Sequence, residues 1–188
     1  MNIRPIEKKD IPAIASLHKN SFDKTHFTSF FSYELLNRYI NTLIEFNPYS
    51  YLVEEGGRIL GYLIGGNHTE SALNYFLKNN YLKIILILLL HPRFIVEKIR
   101  SVILKIKKVK VSSAEYKIYI IATIPEAQGR GIGKALINIF ETELKKNGIN
   151  EYGLSVRELN INAISFYENN NFIKVNKIYK SLYYKKIL

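Results

Sequence analysis

Apolar residues recur along this chain with two different periods, and the switches between them mark out its elements. Residues 3–6 read as a short first strand. Behind it Ile11, Ile14, Ala15 and His18 or Leu17 share one helical face, with Asp10 placed to cap that helix and Pro12 tolerated in its first turn. Leu35, Leu36, Tyr39, Ile40, Leu43 and Ile44 repeat at helical spacing and give a second helix over about 31–45. Two apolar runs, 50–54 and 59–64, flank Glu55-Gly56-Gly57-Arg58, the pattern of a β-hairpin.

Residues 69–110 interrupt this order. The run from Ile84 to Leu90 is strongly apolar, but it is bounded by Lys83 and His91-Pro92-Arg93 and is far short of the roughly 20 residues a membrane span needs. Pro92 divides the region into two expected helices. In the second, Ile95, Ile99, Val102, Ile103 and Ile106 form a stripe, with Lys98, Arg100, Lys105 and Lys108 largely away from it. Such a pair docks on the domain or makes a homodimer contact. Peripheral contact with acidic lipid headgroups is the less favoured role of the same surface.

From 116 onward the order is strand, helix, strand, helix and two strands. Residues 116–123 turn apolar on both faces, as a central strand should. A helix from about 131 to 147 places Ile132, Leu136, Ile137, Phe140 and Leu144 on one face. Lys145 and Lys146 suit its negative end, and Gly148 is expected in a left-handed cap. A strand at 152–156, a short helix at 161–170 and a hairpin from Phe172 complete the chain, with no repeat or linker to divide it.

Composition adds limits. The 188 residues include no cysteine, which excludes a disulfide framework, thiolate zinc sites and a cysteine nucleophile. The N-terminal residues lack the apolar run of a signal peptide, so a cytoplasmic location is expected. The net charge of +11 suits an anionic ligand, although scattered surface lysines account for it equally well. Nucleic acid is suggested by net charge alone and is not favoured.

The candidate chemistry lies at Gln128-Gly129-Arg130-Gly131-Ile132-Gly133-Lys134, between a strand and a helix. The first amides of a helix have no internal partner and point outward, so such a turn receives anions. The spacing does not fit a nucleoside-triphosphate loop: three residues separate Gly129 from Gly133-Lys134, and Ala135 stands where a magnesium-binding hydroxyl belongs. The dinucleotide spacing fails as well, because counted from Gly129 it would place its third glycine at Lys134.

The stretch from Ile121 through Pro125 and Gln128 to Gly133 resembles motif A of the GNAT N-acetyltransferase superfamily. About thirty residues on, Asn160-Ile161-Asn162-Ala163-Ile164-Ser165-Phe166-Tyr167 resembles that family's second signature. Two departures are visible. Thr123 replaces the usual valine, and Asn171 stands where glycine usually precedes the residue equivalent to Phe172. The resemblance implies an α/β fold with a mixed central sheet of about seven strands flanked by helices. It would form a single N-acetyltransferase domain over 1–188, with a helical insertion near 69–110. It also implies acetyl-CoA as acyl donor, no metal, and direct transfer to an amine of a small molecule, an amino sugar or a protein N-terminus. The alternative is a non-catalytic CoA-binding regulatory module.

By the same resemblance, amides around Gln128, Gly129, Arg130, Gly131, Ile132, Gly133 and Lys134 would hold the pyrophosphate. Ile121, Ala122 and Thr123 would pair with the pantetheine arm, Asn160 would anchor it, and Tyr167 would protonate the leaving thiolate. The general base is not fixed by either motif. His26, His68, Glu70 and Glu115 are its candidates, beside a chain of water molecules.

Overall fold

The computed structural model describes residues 1–106 and 114–188. The elements run β1 (Asn2–Pro5), α1 (Ile11–Ser21), α2 (Tyr33–Phe46), β2 (Tyr49–Glu55), β3 (Arg58–Gly66), α3 (Thr69–Asn79), α4 (Tyr81–Leu90) and α5 (Arg93–Ile106). There follow β4 (Lys117–Thr123), α6 (Ile132–Lys146), β5 (Glu151–Arg157), α7 (Ile161–Glu168), β6 (Ile173–Ile178) and β7 (Ser181–Ile187). The seven strands form one mixed sheet in the order β1-β2-β3-β4-β5-β7-β6. Every neighbouring pair is antiparallel except β4 and β5.

Helices cover both faces of the sheet. A side chain at Gly61 would press within 2.9 Å of Ile132 on α6, while the next residue, Tyr62, reaches His18 on α1. Successive strand residues point to opposite faces, so α6 and α1 lie on opposite sides. Ile14, Leu36, Ile40, Leu63, Leu136 and Phe140 are buried in the layers so formed, each contributing roughly 1.5–3 kcal/mol.

β4 and β5 pair at two positions, Lys117 with Gly153 and Ile118 with Leu154. Beyond Ile118 they part, β4 keeping its register with β3 to Thr123 and β5 keeping its register with β7 to Arg157. The sheet therefore opens in its middle, on the side of the glycine turn.

Two expectations need correction. Asp10 does not cap α1 with its side chain. Its carboxylate accepts instead from the Glu7 amide and from Arg4 at 2.7 and 2.9 Å, and Arg4 also reaches Glu54, so a charged pairing across β1 and β2 takes the group the helix would have used. The insertion has three helices, not two. The extra break falls at Asn80, where α3 and α4 meet at 88° without a proline. Lys108 and the end of the insertion at 110 lie outside the described residues.

The insertion docks on the rest of the chain through aromatic contacts. Phe76 of α3 lies 5.8 Å from Phe31 and 5.2 Å from Tyr39, and Phe94 of α5 lies 5.2 Å from Phe27. Among the described residues no single helix is long and apolar enough to cross a membrane.

His18 is a polar group committed to this core. Its Nδ1 lies 2.6 Å from the Tyr62 hydroxyl and its Nε2 2.8 Å from the Thr28 hydroxyl. Burial, helped by His26, holds its pKa down to about 4. The unfolded imidazole takes a proton near pH 6.5, so stability falls as pH drops from there towards the folded value, by roughly 3 kcal/mol in all. The loss of unfolding free energy between neutral pH and about pH 4.5 should be roughly 2 kcal/mol smaller in His18→Gln than in the wild type. Equal losses in urea titrations of the two would show that His18 does not set the acid sensitivity.

Candidate active site

After β4, Pro125–Ala127 makes a 3₁₀ turn that leads into the glycines. Gly129 and Gly131 both have φ +78°, a left-handed conformation that side chains rarely accept, and α6 starts at Ile132 directly after them. The turn leaves a row of main-chain donors. The Gln128 amide is taken by Pro125 and the Arg130 amide by Ala127, at 3.1 and 3.4 Å. Among the described residues, the amides of Gly129, Gly131, Ile132, Gly133 and Lys134 meet no protein acceptor. With the positive end of the α6 dipole behind them, they form an anion site.

These donors sit on a cleft of about 1120 Å³, lined also by Ile121, Ala122, Thr123, Gln128, Asn160 and Tyr167. Arg130 does not line it. Its guanidinium turns outward to Glu55 at 2.8 Å, and its amide, the group expected to meet the pyrophosphate, already donates to Ala127. Ile121 and Thr123 differ from Ala122 in the direction of their main chain. The Ile124 amide donates to Leu60, and antiparallel pairs alternate between bonded and unbonded positions, so Ala122 is turned to β3. Ile121 and Thr123 face the gap that β5 leaves open.

α7 lies across that gap and carries the second signature. Asn160 caps it, its Oδ1 accepting from the Ala163 amide at 3.1 Å, which leaves its Nδ2 as the free donor. Gly133 is bare for a packing reason: a Cβ there would come within 2.9 Å of the Phe166 ring. The helix ends in a left-handed cap at Asn171, φ +65°, with the Phe172 amide donating to the Tyr167 carbonyl and the two rings 5.4 Å apart. Asparagine has thus kept the cap that glycine would make. Tyr167, 7% exposed, gives its hydroxyl no protein partner among the described residues, and burial pushes its pKa well above the ordinary phenol value.

The far end of the cleft is charged in a way no local motif announced. Asp23 and His26 come from the loop after α1, Arg93 and Glu97 from α5, Arg157 from the end of β5, and Lys180 from the turn between β6 and β7. Glu97 binds Lys180 at 3.1 Å and Arg157 at 3.4 Å, and these partners outweigh burial to hold its pKa below the usual range. Of the four base candidates, His26 alone lines the cleft. Glu115 accepts from Asn67 elsewhere, and His68 and Glu70 begin α3 away from the cavity. The His26 pKa is lowered by burial and then by Arg157. Among the described residues no cluster of His, Asp and Glu side chains is placed to hold a metal ion.

The mixed sheet thus parts between its parallel strands, with a glycine-rich anion turn at the opening. The profile of the Acetyltransferase (GNAT) family matches residues 11–172, and the chain belongs to that family of enzymes. Solved structures share the fold. The PaiA N-acetyltransferase from Thermoplasma acidophilum in complex with coenzyme A superposes with a TM-score of 0.62 at 16% identity, covering 100% of this chain and 98% of that one. Ard1 from Thermoplasma volcanium gives 0.65 at 16% identity, covering 100% and 97%. A ribosomal-protein-alanine N-acetyltransferase from Brucella melitensis gives 0.60 at 13% identity, covering all of both chains. No curated protein matches the sequence.

Gly131→Ala keeps the surface open, since nothing lies within 4 Å of the added Cβ, but strains the backbone at φ +78°. The variant should lose about 1 kcal/mol of stability and bind CoA more weakly. Calorimetric titration with unchanged affinity would show that the left-handed turn is not what presents the amides.

Proposed function

We propose that the enzyme transfers an acetyl group from acetyl-CoA directly to the amine of a small molecule, an amino sugar or a protein N-terminus. The reading rests on one observation above the rest: unpartnered amides from Gly129 to Lys134 stand beside a strand edge that its neighbour has left unpaired. The donor set fits the ligand. The amides suit a pyrophosphate, and the outward groups of Ile121 and Thr123, with Asn160 Nδ2 opposite, suit an extended amide-bearing arm. The coenzyme A complex of the structurally similar Thermoplasma enzyme supports the same donor. An enzyme that draws on acetyl-CoA is read as cytoplasmic.

In this mechanism an amide on the open edge of β4 polarises the thioester carbonyl, a contribution worth about 3 kcal/mol in comparable oxyanion sites. The amine attacks, the carbon–sulfur bond breaks, and Tyr167 donates a proton to the departing sulfur. A phenol at pKa ~10 giving a proton to a thiolate at ~8.5 is uphill by roughly 2 kcal/mol. Burial makes Tyr167 a still weaker acid, so its proton moves as the bond breaks and not before. His26, neutral and without a side-chain hydrogen bond among the described residues, takes the proton of the attacking amine. A non-catalytic CoA-binding module leaves the open, charged end of the cleft without a use.

The test is CoA-thiol release over a panel of peptides, polyamines, aminoglycosides and amino sugars. At least one class should turn over, and Tyr167→Phe should lower kcat about 10²-fold or more with acetyl-CoA affinity nearly intact. No release with any class would defeat the reading, and an unchanged kcat in Tyr167→Phe would defeat the role of the phenol.

His26 gives a pH signature. Its lowered pKa keeps the base neutral well into mild acid, so kcat/KM should fall only as pH passes below the ordinary histidine value of about 6.5. In His26→Gln that acid limb should vanish and turnover drop about 10²-fold. A limb of unchanged position in the variant would assign it to another group.

A further inference from the structure

The insertion leaves exposed what a folded chain ordinarily hides. α4 is almost wholly aliphatic, yet only Ile84 is buried, with Ile87 and Leu88 packed partly against the core. On its opposite face Leu82, Ile85, Leu86, Leu89 and Leu90 stand at i, i+3, i+4, i+7 and i+8, and Leu82, Leu89 and Leu90 are 67–68% exposed. α5 continues the theme: Arg93 and Glu97 face the cleft, while Ile95, Val96 and Ile99 are exposed. Apolar surface of this extent on a soluble chain marks an interaction site.

We propose that this face of α4 and α5 docks on an anionic lipid surface, inserting shallowly without crossing. Three features select lipid over a second copy of the chain. The face is built from leucine, isoleucine and valine, whereas protein interfaces draw on aromatic residues, methionine and arginine for their anchors. From 98 to 106 the sequence of α5 carries Lys98, Arg100 and Lys105 with no acidic residue. Anionic headgroups attract such a segment, whereas two copies of a chain of net charge +11 would bring it against itself. Tyr75 and Tyr81, both exposed, flank the junction of α3 and α4 where an interface-seated ring is favourable. The depth is limited as well, because no described helix is long enough to span and the α3–α4 pair is bent by 88°.

The experiment sediments the full-length protein with vesicles of phosphatidylcholine alone or with about 40% phosphatidylglycerol, at low and at roughly 0.5 M salt. Binding should favour the anionic vesicles at least tenfold and weaken with salt. The double variant Leu86→Glu/Leu89→Glu should lose tenfold or more, and Arg100→Glu about fivefold. These side chains are exposed, so the unfolding midpoint should stay at the wild-type value, and turnover with a soluble amine should stay as well. That last readout separates failure of this proposal from failure of the proposed reaction. Equal binding to neutral and anionic vesicles, or variants that bind like the wild type, would overturn it. So would a dimer in solution that the double variant dissociates, which would make a second copy the occupant.

Discussion

The parting of β4 from β5 governs everything that follows in this molecule. Two paired positions, Lys117 with Gly153 and Ile118 with Leu154, hold the halves of the sheet together, and beyond them each strand is held on one edge alone. This is no frayed end. β4 stays in register with β3 as far as Thr123, and β5 with β7 as far as Arg157, so both walls of the gap are rigid. The main-chain groups of Ile121 and the Thr123 amide are left facing the opening, the Thr123 carbonyl accepting from the Ser21 hydroxyl at 3.4 Å. A buried polar group without a partner costs about 1–3 kcal/mol, so such an edge calls for water or for a ligand with alternating amides. Under the proposed function a pantetheine arm would supply those amides, and the same edge would present its N–H groups to the carbonyl at the end of the arm.

The rest of the site is fixed to that gap by close packing. Phe166 sits against the bare backbone of Gly133, which ties α7 to the first turn of α6. Tyr167 is locked from the other side, its carbonyl accepting from Phe172 and its ring lying 5.4 Å from that ring. The anion turn and the proposed proton donor are therefore parts of one packed unit. A change at Asn171 or Gly133 would be felt at both.

The sequence showed most clearly what depends on neighbours close along the chain. The glycine turn, the amphipathic face of α6, the left-handed positions at Gly148 and Asn171 and the 55–58 hairpin turn are local matters of φ and spacing, and each is found. What escaped was decided by distant partners. Asp10 looks like a helix cap until Arg4, which also donates to Glu54, takes its carboxylate. The break at Asn80 had one local sign, a pair of asparagines with poor helix propensity, but no proline to mark it. Glu97, Arg157 and Lys180 come from three separate elements, and no spacing in the chain could have joined them.

That cluster bears on the chemistry through charge. The far end of the cleft gathers Arg93, Arg157 and Lys180 against Asp23 and Glu97, with His26 held neutral among them. Asp23 is occupied by Thr25, and Glu97 is shared between two cations. An ammonium arriving there meets excess positive charge and few free acceptors, which lowers its pKa and favours the neutral amine. Only the neutral form has the lone pair that attacks a thioester. Under the proposed reaction the site would divide the work of deprotonation: the surrounding cations would make the proton easier to lose, and the His26 imidazole would accept it. The insertion contributes Arg93 and Glu97 to this arrangement, so on the proposed reading helix α5 would take part in shaping the reactivity of the acceptor as well as the outer surface of the protein.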